Sequence, residues 1–171
     1  IQIALAKGAH VFATARVRGL SIVADLGATP IDSSAHSVMD YVEQHTAGKG
    51  FGVVYDTVGG TVLDDAFHAV RANGHVTSCA AFGTHLLAPA SLRAASISGV
   101  FVLLPMLSGA GRARHGSILK EIASLAEAGL FQPIIDPRRF TLETAAAAHD
   151  AVEGGGARVM VVIDVSEQEE Y

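Results

Sequence analysis

The sequence has one cysteine and no tryptophan. A single cysteine cannot form an intramolecular disulfide or a cysteine-based zinc site, and this usage is typical of a reducing compartment, so we expect a cytoplasmic protein. Positive charge is also scarce, because 12 lysines and arginines against 17 acidic residues leave a net charge of −5. Since a protein that binds duplexes needs many cations to displace counterions from phosphates, we expect no nucleic-acid partner.

Long hydrophobic runs are missing as well. The longest, residues 94–107, is interrupted by serines, a glycine and a proline, and it is shorter than the roughly 20 residues of a membrane-spanning helix. The N-terminus has neither the charged lead nor the small-residue cleavage site of a signal peptide. The sequence therefore predicts no membrane partner.

What the sequence does contain is a hydrophobic content of 50% in 171 residues, which suits one compact domain and exceeds that of disordered chains. Short apolar runs alternate with segments of helical spacing. Expected strands cover 11–14, 30–31, 52–56, 75–79, 97–102 and 159–165, and expected helices lie near 20–26, 38–45, 60–72, 118–126 and 142–152. This alternation with short links predicts parallel strands joined by right-handed crossovers, and hence an α/β fold with a doubly wound, Rossmann-like sheet.

Several pieces of sequence, in a fixed order, resemble one superfamily. They are HVFATA at 10–15, DLGA at 25–28, KGFGVVYDTVGG at 49–60, ANGHV at 72–76, FG at 82–83 and FTLE at 140–143. The chain resembles the cofactor-binding half of medium-chain dehydrogenase/reductase proteins over almost its whole length, and especially the zinc-independent, quinone-oxidoreductase-like members, which use NADPH. The resemblance implies a partial dinucleotide-binding domain at 1–131 and a segment at 132–165 that returns to the catalytic domain. We expect 166–171 to be a disordered tail.

The first eight residues are typical of the end of a helix, with Lys7 in its last turn and Gly8 at the left-handed cap position. In the resembled family, a strand and a glycine-rich turn would precede Ile1. The expectation is therefore a mostly parallel sheet that lacks its first, central strand. A chain of this kind is expected to bind dinucleotide poorly and to be inactive by itself.

Two arginines follow the second strand of the resembled domain. In dinucleotide sites this loop faces the adenosine ribose, where an acidic residue favours NAD and an arginine favours the 2′-phosphate of NADP. Arg16 and Arg18 lie in this loop, and no acidic residue lies between 14 and 19. The pattern favours NADPH as the cofactor, with two solvated loop arginines as the plain structural alternative.

By the same resemblance, three later segments contact the cofactor. In chain order, they are Val58 with Gly59, Phe82 with Gly83, and Val100 with Phe101. The middle pair is expected near the nicotinamide half, and the last pair lies in the final strand of the sheet. Each pair also has a purely structural interpretation, as a strand-to-helix turn or as part of the core.

No residue is predicted to be a general acid or a metal ligand. The eight histidines form no ligand spacing, and Cys79 in an apolar strand is typical of a small core residue. Asp64 and Asp65 lie in the first half of a helix, where negative charge offsets the helix dipole. The sequence departs from relatives at Ser33, where several carry tyrosine, and at Met160, where many carry lysine.

The resemblance implies the cofactor-binding portion of an NADPH-dependent oxidoreductase that transfers hydride to a small-molecule quinone, enone or related carbonyl-conjugated acceptor. Two alternatives stay open. One is the enoyl-reductase domain of a polyketide-type synthase, which shares this cofactor half. The other is a cofactor-free module that forms a homodimer through the edge strand from Ile97 to Val102. A methyltransferase is disfavoured, because it would carry an acidic residue after the second strand.

Overall fold

The computed structural model describes residues 1–155 and 159–165. They form two compact units, Val11–Glu121 in one, and Ile1–His10 with the described part of Ile122–Tyr171 in the other. The predicted tail at 166–171 lies outside the described residues, and the predicted boundary at residue 131 stays a prediction. No helix within the described ranges is long and apolar enough to cross a membrane.

Strands and helices alternate along the larger unit. The first helix of the chain, α1 (Gln2–Ala6), belongs to the smaller unit. The larger unit then contains, in chain order, β1 (Phe12–Ala15), α2 (Leu20–Asp25), β2 (Thr29–Asp32), α3 (Val38–Thr46), β3 (Phe51–Asp56), α4 (Thr61–Ala69), β4 (Val70–Ser78), α5 (Ala88–Ser91), β5 (Ser96–Gly99), α6 (Leu103–Ser108) and the first part of α7 (Arg112–Glu127). A 3₁₀ turn, Val17–Gly19, lies between β1 and α2.

All strand pairs in the larger unit are parallel, as predicted. β1 pairs with β2, and β3, β4 and β5 form a second sheet in that order. In the described residues no ladder joins β1 to β3, although the rings of Phe12 and Phe51 lie 5.3 Å apart between centroids. The Rossmann-like α/β fold is confirmed, and its sheet consists of two separately hydrogen-bonded halves.

The core of this unit lies where α4 packs on the β3–β4–β5 sheet. Leu63, Ala66 and Phe67 follow helical spacing and are at most 5% exposed, and Val70 and Val76 of β4 are fully buried. Burial of each large apolar side chain stabilises the fold by about 1.5–3 kcal/mol. The packing fixes α4, and with it the turn between β3 and α4, at one end of the sheet.

Several predicted boundaries in this unit were wrong. The strand predicted at 75–79 begins at Val70, and the helix predicted at 118–126 begins at Arg112. The helix predicted to reach residue 72 ends at Ala69, because Val70 takes extended backbone and pairs with Phe51 in the β3–β4 ladder. The strand predicted from Ile97 to Val102 ends at Gly99. Its partner β4 ends at Ser78, directly opposite Gly99, so the following residues have no strand to pair with.

The smaller unit contains α1, the end of α7, β6 (Phe140–Thr141), α8 (Ala145–Glu153) and β7 (Ile163–Asp164). The Gln2 side chain donates to the Gln132 carbonyl and accepts from its amide, at 2.8 and 2.7 Å. The strand predicted at 159–165 is shorter, because only β7 and an isolated bridge at Met160 pair. It is not buried on both faces either, since Met160 and Val165 are exposed.

Candidate functional site

The carboxyl ends of β3, β4 and β5 form one edge of the sheet. Asp56 lies opposite Ser78, and Ser78 lies opposite Gly99. Because the strands are parallel, the loops that follow them all leave from this edge. Ligands of open α/β sheets bind outside the carboxyl ends of the strands, so this edge is the candidate site.

A buried carboxylate organises the edge. Asp56 is 4% exposed and accepts hydrogen bonds from the amides of Val58 and Gly59 at 3.1 Å and from the Ser78 hydroxyl at 2.5 Å. The Ser78 oxygen in turn accepts from the Ala80 amide at 3.0 Å. The network ties the turn after β3 to the turn after β4. Sequence reasoning missed it, because no motif links residues 56 and 78.

The pKa of Asp56 is lower than the ordinary value of 3.8. Burial raises it, but the hydrogen bonds from Ser78, Gly59 and Val58 together lower it by more, with a smaller electrostatic contribution from His85. Asp56 is therefore a stable anion that holds three donors, and its role is to fix the two turns rather than to carry a proton.

The two predicted turn residues Val58 and Gly59 lie at this edge, and Gly59 has a structural reason to be glycine. Its φ is +77°, and a Cβ added there would lie 2.4 Å from the carbonyl oxygen of Ala80. Only glycine permits this approach of the two turns. The Val58 side chain is 68% exposed and faces solvent at the edge.

A small cavity of about 130 Å³ lies between the loops after β4 and β5. It brings together Phe82, Val100 and Phe101, and the two phenylalanine rings meet edge to face at 5.9 Å. This volume is somewhat below the roughly 150 Å³ of an apolar cavity that holds benzene, so the cavity can receive part of an aromatic ring. Gly83 adjoins the cavity through Phe82, which is 72% exposed and not part of the core.

The prediction that Cys79 is a core residue in a strand was wrong. It lies just beyond the end of β4, is half-buried and lines the same cavity. A hydrogen bond with Cys79, together with burial, raises the pKa of the Tyr55 hydroxyl. The cysteine therefore belongs to the wall of the candidate site.

The two predicted arginines follow β1. Arg16 precedes the 3₁₀ turn and Arg18 lies within it, and both are exposed. Neither guanidinium has a hydrogen-bond or ion-pair partner among residues 1–155 and 159–165. The nearest acidic position in the ladder is Asp32, opposite Ala15, and its carboxylate is bound by the amide and hydroxyl of Ser34. Both arginines are thus available to an anion.

A family model for zinc-binding dehydrogenases matches residues 26–163. The chain belongs to the zinc-binding dehydrogenase family. This result confirms the predicted membership of the medium-chain dehydrogenase/reductase superfamily, whose solved structures share the fold. No curated protein sequence matches the chain significantly.

Three solved structures share the fold of this chain. An alcohol dehydrogenase superfamily protein from Novosphingobium aromaticivorans is 49% identical, with a TM-score of 0.91. An NAD-dependent alcohol dehydrogenase is 27% identical, with a TM-score of 0.77. The CurK enoyl reductase is 19% identical, with a TM-score of 0.76, and shares the fold. Each alignment covers 96% of this chain but 51%, 46% and 50% of the other, so the chain spans about half of their length.

Because the family is one of zinc-binding dehydrogenases, the described residues can be tested against the ligands that zinc requires. A catalytic zinc takes three protein ligands from histidine, cysteine, aspartate or glutamate. Within the part of the chain that the structure describes, no three such side chains lie close enough together to hold a metal ion. These residues do not fit a zinc site, and no zinc-dependent step is assigned to them.

Proposed function

We propose that this zinc-binding dehydrogenase family member is the cofactor-binding portion of an NADPH-dependent oxidoreductase that transfers hydride to a quinone, an enone or a related carbonyl-conjugated acceptor. The observation that carries the proposal is the pair of exposed arginines after β1, which have no partner among the described residues. When bound, the reduced nicotinamide supplies the hydride, and the protein supplies orientation and electrostatics. The single cysteine supports a cytoplasmic location.

The described residues fit a dinucleotide in three places, after β1, after β3, and in the loops after β4 and β5. Arg16 and Arg18 would bind the 2′-phosphate, because guanidinium groups bind phosphate through paired hydrogen bonds. Gly59 lets the turns after β3 and β4 approach one another, and the cavity beside Phe82 and Phe101 would contact one ring of the ligand. A dinucleotide would therefore extend from β1 across β3 to the loops after β4 and β5.

We propose that this chain by itself binds the cofactor weakly. The arginine end and the cavity end of the site lie on two sheets that no ladder joins in the described residues. Ordering both ends around one ligand costs free energy, which reduces affinity. Chemical-shift titration by NMR can measure weak dissociation constants and is therefore suited to this chain.

Replacing both arginines, as Arg16→Ala with Arg18→Ala, should weaken NADPH binding by about tenfold or more and leave NADH binding nearly unchanged. Each charged hydrogen bond to phosphate contributes about 1.5–3 kcal/mol, and about 1.4 kcal/mol corresponds to tenfold in affinity. The measurement is the dissociation constant of each nucleotide by chemical-shift titration. Arg114→Ala, an exposed arginine on α7, is the control. An equal loss for both nucleotides would contradict the assigned phosphate role.

The enoyl-reductase domain of a polyketide-type synthase is the alternative in the same reaction class. Such a domain would also bind NADPH, so the arginine variants do not separate the two. The similarity to CurK enoyl reductase is at 19% identity and supports the fold alone. Acyl-carrier sequences flanking this chain in the longer protein would favour the alternative, and their absence there would favour a free-standing reductase.

A homodimer is a second candidate, and one observation favours it. β5 is the outermost strand of its sheet, and Ile97, Val100 and Phe101 on and after it are 43%, 43% and 52% exposed. A contiguous apolar edge of this kind is typical of an interface. We expect a dimer-sized species in size-exclusion chromatography, and Ile97→Lys should convert it to monomer because a charge on an edge strand opposes pairing.

Leu119→Lys, on exposed α7, is the matched control for this experiment and should leave the elution unchanged. Monomeric wild-type chain would contradict the interface. A dimer that takes up no nucleotide would instead favour the cofactor-free module over the oxidoreductase.

A further inference from the structure

A histidine and an aspartate from different elements form a pair behind the candidate site. His85, in the loop after β4, contacts Asp64 of α4, with its Nδ1 2.8 Å from the carboxylate Oδ1. The His85 side chain is 11% exposed, and its ring meets the buried Phe67 ring edge to face at 6.2 Å. The imidazole is therefore held on two sides, by a hydrogen bond and by an aromatic contact.

The second nitrogen of His85 has no hydrogen-bond partner within the part of the chain that the structure describes. Its Nε2 is buried, and nothing in the described ranges bonds to it. Because an ionised carboxylate only accepts, Nδ1 carries a proton in this pair, and Nε2 is an acceptor whenever the ring is neutral. A buried polar atom without a partner costs free energy, and in native proteins such atoms bind an ordered water, an ion or another ligand, or serve a functional role.

The position of this nitrogen relates it to the site. A Cβ added to Gly83 would lie 3.5 Å from His85 Nε2, so this nitrogen lies directly beneath the turn that follows the cavity-lining Phe82. Gly83 has a φ of +148° and no side chain, so a shift of this turn is what would bring the buried nitrogen into contact with a ligand. His85 is also near enough to influence Asp56 electrostatically.

We propose that His85 Nε2, oriented by Asp64, binds a polar group on the nicotinamide half of the cofactor. This inference rests on the proposed function. Arg16 and Arg18 follow β1, whose Phe12 ring contacts Phe51 of β3, whereas His85 follows β4, the next strand beyond β3. A dinucleotide with its adenosine end at the arginines would therefore have its other end on the side of His85. That half carries hydroxyl and carboxamide groups, which both donate and accept and so match an imidazole nitrogen.

Two amide variants separate a ligand contact from a purely structural role. In His85→Asn the amide takes the place of Nδ1, which keeps the bond to Asp64 and removes Nε2. In His85→Gln the amide takes the place of Nε2 and gives up Nδ1. We expect His85→Asn to weaken NADPH binding about threefold to tenfold, and His85→Gln to retain most of the affinity. The measurement is chemical-shift titration, with His68→Asn on α4 as the control.

Adenosine 2′,5′-bisphosphate, the adenosine half alone, is the second probe in this experiment. Its affinity should be the same in wild type and His85→Asn, and it should fall in the arginine double variant. Equal NADPH affinity in wild type and His85→Asn, or a loss confined to His85→Gln, would overturn the inference and leave the proposed function standing. Wild-type chain that binds neither probe would overturn both.

Discussion

Replacing Gly59 with alanine should lower the free energy of unfolding by about 3 kcal/mol, since it combines overpacking with backbone strain. The added Cβ would lie 2.4 Å from the Ala80 carbonyl oxygen, and φ there is +77°. The clashing atom belongs to the backbone, so relief requires a shift of the turn after β4. Urea unfolding of the variant and of the wild type measures the difference.

The adjacent glycine is the matched control for this experiment. Gly60 also has a positive φ, of +56°, but a Cβ added there has no atom within 4 Å. Gly60→Ala should therefore cost only the conformational strain, about 2 kcal/mol, since its ψ of −136° lies outside the left-handed helical region. If the two alanine variants lose equal stability, the close approach of the turns is not what requires glycine at position 59.

The sequence predicted the elements whose pattern is local. Leu63, Ala66 and Phe67 at helical spacing predicted α4, and the apolar run before Asp56 predicted β3. The end of α4 was placed too late, because Val70 is extended only through its pairing with Phe51 from another strand. Helix ends set by tertiary pairing carry no local signal.

The difference between local patterns and tertiary pairing also explains which parts of the candidate site the sequence predicted. Val58 and Gly59 were expected near the cofactor, and both lie at the carboxyl edge, because that edge follows from parallel strands. The Asp56–Ser78 and Asp64–His85 pairs span 22 and 21 residues, and each depends on the register and loop path that bring its members together. The negative charge of Asp64 was explained by its favourable position in the helix dipole, so nothing in the sequence indicated His85 as its partner.

Replacing Asp56 with alanine should destabilise the chain by about 3 kcal/mol, because three donors, one part-buried and two buried, lose their acceptor. They are the amides of Val58 and Gly59 and the hydroxyl of Ser78. Asp65→Ala, at an exposed aspartate of α4, is the control and should change the free energy of unfolding by no more than about 0.5 kcal/mol. Urea unfolding near neutral pH makes the comparison.

The charge of Asp56 also predicts how stability depends on pH. Its folded pKa lies below the ordinary 3.8, so the unfolded chain binds a proton more readily than the folded chain. The stabilisation is fully present above pH 3.8 and is lost as the pH falls through the lower folded pKa. Asp56→Asn, which keeps the shape and removes the charge, should show less loss of stability in that range than the wild type. Identical acid profiles for the two proteins would mean that the carboxylate charge does not hold the two turns together.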